Sequence, residues 1–267
     1  MGIGKRLTRE VIVQTLKDRL EPLSHVHAMW EGGAAAFGRI DQWSDIDLYL
    51  AVDDDKVDET FPVVEQALAS LCPIEQKYEV PNLPWPGLSQ AFYRLRDTSE
   101  YLIIDLVIMR LSSPDKLLES EIHGRALFYF NKSNCVKIPL LDRIQFISRL
   151  RGRLERTDRR IGMFNSFVQK EINRRNHLEA VDLYYNLVLA ALVEVLRVRY
   201  NPFHYDFKLR YIHYELPQQI IQELKDLYFV KDERDLQEKY RKAISWFLRT
   251  MLEVNQAGPG APSSVFK

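Results

Sequence analysis

The sequence is poor in cysteine. Only Cys72 and Cys135 are present in 267 residues. They lie far apart and fit no metal-ligand spacing, and so few thiols suit a reducing compartment. It also lacks a charge of one sign: 37 Lys and Arg stand against 37 Asp and Glu. That argues against a general polyanion binder and leaves only a local basic patch open. Long apolar runs are missing too. Leu187–Leu196, the longest, is broken by Glu194 and is too short to span a bilayer. The first twenty residues carry Lys5, Arg6, Arg9, Lys17, Asp18 and Arg19, with no apolar segment of signal-peptide type between them. These absences predict a soluble, cytoplasmic protein without a membrane partner. With 46 % hydrophobic and 28 % charged residues and no internal repeat, collagen-like, low-complexity and disordered classes are excluded. A chain of this length can bury a core without disulfide staples.

What is present changes character near Pro139. Before it, strand and helix signals mix. Residues 7–20 have helical spacing, closed by Pro22. Val26 to Trp30 and Ile46 to Val52 read as strands, Val57 to Leu71 as a helix with acids in its first turn, and Glu75 to Val80 as a third strand. Ala91 to Leu95 and Tyr101 to Met109 read as a hairpin around Asp97-Thr98-Ser99. After Pro139, long helical periodicities dominate. Ile144, Ile147, Leu154, Ile161, Phe164, Phe167, Val168 and Ile172 trace an apolar stripe over two helices. Leu178 to Tyr200 is apolar almost all round and predicts a central buried helix. Pro217 opens another helix, and Leu236 to Leu252 forms a last one. The expected fold class is an α/β (α+β) domain with a mixed sheet over 1–137, followed by an all-α helical bundle over 138–257 and a loose tail at 258–267.

The chemistry concentrates in Trp30 to Val52, WEGGAAAFGRIDQWSDIDLYLAV. Residues i and i+2 of a strand share a face, so Asp45 and Asp47 project together while Ile46 and Leu48 turn inward. Two close carboxylates repel unless a cation lies between them, and a hard divalent ion such as Mg²⁺ suits oxygen ligands. Asp105 is a lone acid inside the apolar run YLIIDLVIM, where an unpaired carboxylate is costly. Beside Asp45 and Asp47 it would complete a three-carboxylate set, the kind that holds two metals roughly 3.5–4 Å apart in phosphoryl transfer. Gly32-Gly33 after a strand permits close backbone approach, and its N–H groups can cradle phosphates.

Gly32-Gly33, eleven residues, then Asp45-Ile46-Asp47-Leu48 resembles the signature of the nucleotidyltransferase superfamily related to DNA polymerase β. A second register sets Gly33-Ala34 at the glycine pair and Gly38 at a further glycine. In the first register Glu31 departs, standing at a hydrophobic position; in the second Ala34 replaces a serine that meets phosphate, and Phe37 falls where many members are basic. The order of a minimal catalytic domain and a helical bundle resembles the aminoglycoside and lincosamide nucleotidyltransferases. Asp206 to Pro217 (DFKLRYIHYELP) resembles a C-terminal stretch of many uncharacterised bacterial relatives.

The resemblance implies an enzyme that moves a nucleoside monophosphate, AMP from ATP by default, to a hydroxyl of a small-molecule acceptor and releases pyrophosphate. Asp45 and Asp47 would hold Mg²⁺, and Asp105 would be a further ligand or the base for the acceptor proton. Gly32, Gly33, Ala34 and Ser44 would line the triphosphate; antibiotic-type relatives are often dimers, which leaves a homodimer open. The alternatives are an adenylyltransferase acting on RNA or protein, of toxin–antitoxin type, and a nucleotide-binding module without turnover.

Other features have plainer readings. Asp53-Asp54-Asp55 is a turn before a helix, and His25-x-His27 a polar strand face. Residues 142–175 hold ten basic residues against four acids, read as a solvated face before a nucleotide or RNA surface. Glu179, Asp182 and Asn186 form a polar stripe: a solvent face, or an acceptor wall for an amine-bearing substrate. Arg199 and His204 share the Arg-x4-His spacing of HEPN ribonucleases, which chance explains.

Overall fold

A computed structural model describes residues 7–257 of the chain. The chain divides between Leu141 and Asp142 into two compact units. The expected tail at 258–267 lies outside the described residues.

The first unit opens with α1 (Arg9–Leu20), β1 (Val26–Glu31), the short α2 (Gly33–Ala36), β2 (Ile46–Val52) and α3 (Val57–Leu71). It continues with β3 (Ile74–Glu79), β4 (Leu88–Leu95), β5 (Ile103–Arg110), the short α4 (Ser120–His123) and β6 (Leu127–Asn131). Six described strands form one sheet in the order β3-β4-β5-β2-β1-β6. β2 and β5 are parallel and central, and the other pairs are antiparallel, so the sheet is mixed.

The two sheet faces differ. Ile46, Leu48 and Leu50 of β2 and Ile104, Leu106 and Ile108 of β5 pack in one core with Ile12, Leu16 and Leu20 of α1 and Val64 and Leu68 of α3. This alternation of buried residues fixes which side chains are left for the opposite face. There a smaller cluster around Trp30, Ala51, Met109 and Leu118 covers part of the sheet. The sequence reading assigns no strand at 127–131, yet LFYFN pairs with β1, Met29 against Phe130. An edge strand of five residues is too short to show its period alone.

The second unit is helical: α5 (Arg143–Phe164), α6 (Ser166–Asn173), α7 (His177–Leu183), α8 (Ala190–Tyr200), α9 (Ile212–Glu215), α10 (Gln218–Tyr228) and α11 (Glu233–Ala257). Asp142 caps α5, accepting from the Gln145 N–H at 2.9 Å. The stripe α5 buries is Phe146, Leu150, Leu154, Thr157 and Ile161. Ile144, expected within it, is 86 % exposed, because it lies about 140° round the helix from the mean direction of Phe146 and Leu150. The helix expected over 178–200 exists, but a π-helical stretch, Tyr184–Leu189, separates α7 from α8. Leu178 is 90 % exposed, and before Tyr184 only Ala180 of α7 is buried.

α8 is tied to the segment after it by Arg197, which is 0 % exposed. Its guanidinium donates to the Lys208 carbonyl at 2.5 Å, to the Arg210 carbonyl and to the Glu215 carboxylate at 2.6 Å. Glu215 also meets His204 Nδ1 at 2.9 Å. The stretch DFKLRYIHYELP therefore wraps a buried cation, and Arg199 pairs instead with Glu253. Arg199 and His204 thus meet different carboxylates, Glu253 and Glu215.

Candidate functional site

The site begins with strand alternation. Since Ile46 and Leu48 are buried, Asp47 belongs to the other face of β2. In the parallel ladder Asp47 is the register partner of Asp105. Partners in a parallel pair point the same way, so the two carboxylates stand on neighbouring strands on one face. Asp45 precedes β2 by one residue.

Asp105 is held from the far side. Gln90 of β4 donates its amide to Asp105 Oδ1 at 2.7 Å. Burial pushes the Asp105 carboxyl up to about 6; the Gln90 hydrogen bond opposes the rise and the charge of Asp45 adds to it. The carboxylates thus sense each other across β2 and β5.

The glycine turn is folded onto this pair. The Gly32 N–H donates to the Asp47 carbonyl at 3.0 Å. Gly33 has φ +49°, and a Cβ there would lie 1.6 Å from Asp47 Oδ2. A Cβ on Gly32 would lie 2.7 Å from Tyr49 Cε2. Each glycine is therefore faced by a side chain on the same face of β2, Asp47 or Tyr49. Ala34 sits inside α2, its carbonyl accepting from the Arg39 N–H at 2.8 Å. Gly38 has φ +64° with open space around it.

A network not expected from sequence positions the Asp45 end. Arg9 of α1 donates to the Glu31 carboxylate and to the Asp45 carbonyl. Tyr129 of β6 donates to the other Glu31 oxygen; burial, then this bond, pushes its hydroxyl up. Glu31 is 1 % exposed. The acid that departs from the nucleotidyltransferase signature is thus a buried anchor, and its presence in the apolar strand VHAMWE was the available signal. Gln90, Arg9 and Tyr129 left no such mark.

Other expected residues lie elsewhere. The Ser44 hydroxyl donates to Asp41 Oδ1 and accepts from the Asp41 N–H, both at 2.9 Å, so it closes its own loop. Glu179 and Asp182 belong to α7 in the second unit and are exposed; Asp182 accepts from Asn186 at 2.6 Å. His27 meets Asp53 at 2.7 Å, and Asp54 takes the Ser112 N–H at 3.0 Å. In the basic run, Arg153 and Arg174 are paired with Glu194 and Glu171 at 2.7 and 2.9 Å.

No protein-family model matches the sequence, and no curated protein matches it. Solved structures do. The chain is similar in structure to an aminoglycoside 6-adenyltransferase from Bacillus subtilis. The TM-score is 0.38 at 12 % identity, over 94 % of this chain and 91 % of that one. It is also similar to a spectinomycin adenyltransferase from Enterococcus faecialis solved with ATP and spectinomycin. There the TM-score is 0.33 at 10 % identity, over 93 % and 98 % of the two chains. Values this low bear on neither activity nor substrate.

Among the described residues, no three His, Cys, Asp or Glu side chains converge into a ready metal cluster. The donor set still has the chemistry of a hard cation site: carboxylate oxygens alone, with Asp105 raised by burial and by Asp45. A cation between them would remove that repulsion.

Proposed function

We propose that the first unit is the catalytic centre of a nucleotidyltransferase. It transfers a nucleoside monophosphate, AMP from ATP by default, to a hydroxyl of a small-molecule acceptor. The acceptor oxygen forms a bond to the α-phosphorus, the bond to the bridging oxygen breaks, and pyrophosphate leaves. The observation that carries this reading is the register pairing of Asp47 with Asp105, beneath a diglycine turn that is folded onto Asp47.

Asp45, Asp47 and Asp105 would hold Mg²⁺, which when bound neutralises phosphate charge. The chain's own residues do the rest. Gln90 occupies Asp105 Oδ1, leaving Oδ2 for a cation or for the acceptor's proton. Arg9 and Glu31 hold the Asp45 backbone. The missing Cβ atoms of Gly32 and Gly33 make room for Tyr49 and Asp47 against the turn. The match of Gly32-Gly33 and Asp45-Ile46-Asp47-Leu48 to the superfamily signature supports the same reading.

The test is pyrophosphate release from each of the four nucleoside triphosphates with Mg²⁺, against aminoglycosides, lincosamides and tRNA. One acceptor is expected to give release, and Asp45→Asn/Asp47→Asn should lower it by roughly a thousandfold. Release that persists in the double variant would overturn the assignment. No release with any acceptor, with ATP still raising the melting temperature, would favour the binding module.

A further inference from the structure

The second unit contains a cavity of about 580 Å³. That volume falls within the range of small-molecule sites.

Its walls are built rather than incidental. Glu194 of α8 is buried and accepts from Arg153 at 2.7 and 3.0 Å and from the Thr157 hydroxyl at 2.6 Å. The π-helical stretch Tyr184–Leu189 brings Tyr185 to the cavity. Such stretches are rare inside helices and concentrate at functional sites. The Tyr185 hydroxyl donates to the Tyr228 carbonyl at 2.7 Å, and the two rings stack at 5.8 Å and 19°. Lys208, on the same lining, has φ +52°, a strained conformation that Arg197 secures through the Lys208 carbonyl.

Charge decides what the cavity can take. Arg153 and Glu194 cancel as an ion pair. Arg160, Lys208 and Asp206 remain on the lining, an excess of one positive charge. Neither Arg160 nor Lys208 has a carboxylate partner among the described residues. The rest of the lining is largely aromatic and aliphatic, with Tyr185 and Tyr228 as a stacked pair.

We propose that this cavity binds a small molecule joining a planar ring to one anionic group, a carboxylate or a phosphate. Arg160 takes the anion, and the Tyr185–Tyr228 pair takes the ring. The lining residues all belong to the helical unit, and the proposal does not rest on the nucleotidyl-transfer reading. It also calls for a ligand of opposite charge to the amine-bearing one that Glu179 and Asp182 suggest.

Calorimetric titration of the full chain tests this with four probes: salicylate, adenosine 5′-monophosphate, adenosine and inorganic phosphate. At least one ring-bearing anion should bind saturably, and salicylate against the monophosphate distinguishes carboxylate from phosphate. Adenosine and inorganic phosphate should bind at least about tenfold more weakly. Arg160→Ala should weaken the ring-bearing anion by about tenfold or more without moving the melting temperature, and Arg160→Lys should restore part of it. Asp45→Asn/Asp47→Asn should leave it in place. Binding that is indifferent to Arg160→Ala, or lost only in the double aspartate variant, would overturn the proposal. So would no saturable binding of either ring-bearing anion up to millimolar concentration, or equal binding of inorganic phosphate.

Discussion

At the scale of the residue, Gly33 and Asp47 occupy one space. A methyl group on Gly33 would fall 1.6 Å from the Asp47 carboxylate at a backbone φ of +49°. Gly33→Ala should cost about 1–3 kcal/mol of stability for the overlap, added to about 1–2 kcal/mol for the positive φ, and, by moving Asp47, roughly a hundredfold in turnover. Gly38→Ala is the control: φ is +64° but nothing lies near, so only the conformational cost of about 1–2 kcal/mol applies. Denaturant melts and pyrophosphate assays separate the two. Asp105 offers a pH test. Its carboxyl is raised from 3.8 to about 6 in the folded chain. Below pH 3.8 it is neutral in both states and costs nothing. As pH rises through 6 the folded chain must hold a charge it disfavours, and stability is lost. In metal-free buffer Asp105→Asn should therefore be more stable than the parent at pH 8, by about 1–3 kcal/mol. The gain should vanish toward pH 4 in thermal melts. Of these residues, Asp45, Asp47, Asp105, Gly32 and Gly33 stand out in the sequence, because an acid in an apolar run breaks a pattern. Arg9, Gln90 and Tyr129 do not, since each is ordinary on its own element and is made special only by a neighbour distant in sequence.

At the scale of the element, legibility follows length and period. β2 and α3 have the bounds that alternation and first-turn acids predict, because both carry a strong period over a full burial face. β6 escapes because it is short and at an edge. The stripe of α5 is displaced from the expected one, since Ile144 counts as apolar in any periodicity but does not lie over the core. The break between α7 and α8 has no sequence signal at all: a π-helical stretch changes hydrogen-bond partners, not composition. The segment after α8 depends on one buried cation. Arg197→Met removes the donor to two carbonyls and leaves Glu215 buried without its guanidinium. Losing one partner of a buried pair costs about 3–5 kcal/mol, and the 201–215 stretch should lose protection in hydrogen exchange before the rest of the unit.

At the scale of the whole molecule, zero net charge and a pI near 7.0 set behaviour in solution. Without net repulsion, association is favoured at that pH. Light scattering should show the most self-association near pH 7 and less at pH 8.5 in low salt. No described helix is long and apolar enough to cross a membrane.

By itself, the sequence determined the class of the fold, a mixed-sheet α/β half followed by a helical half. It also determined which acids had to be accounted for. Both are local matters: period reports which face of an element is buried, and an acid on an apolar strand reports a partner yet to be met. Only the tertiary structure decided who that partner is. Strand order put β5 beside β2 and made Asp105 the register partner of Asp47. The fold of β1 against β2 laid Gly33 on the Asp47 carboxylate, and α1 brought Arg9 to Glu31. The helical unit gathered a charged, aromatic-lined cavity out of residues spread from 153 to 228. Such pairings join residues far apart along the chain, and periodicity carries no record of them.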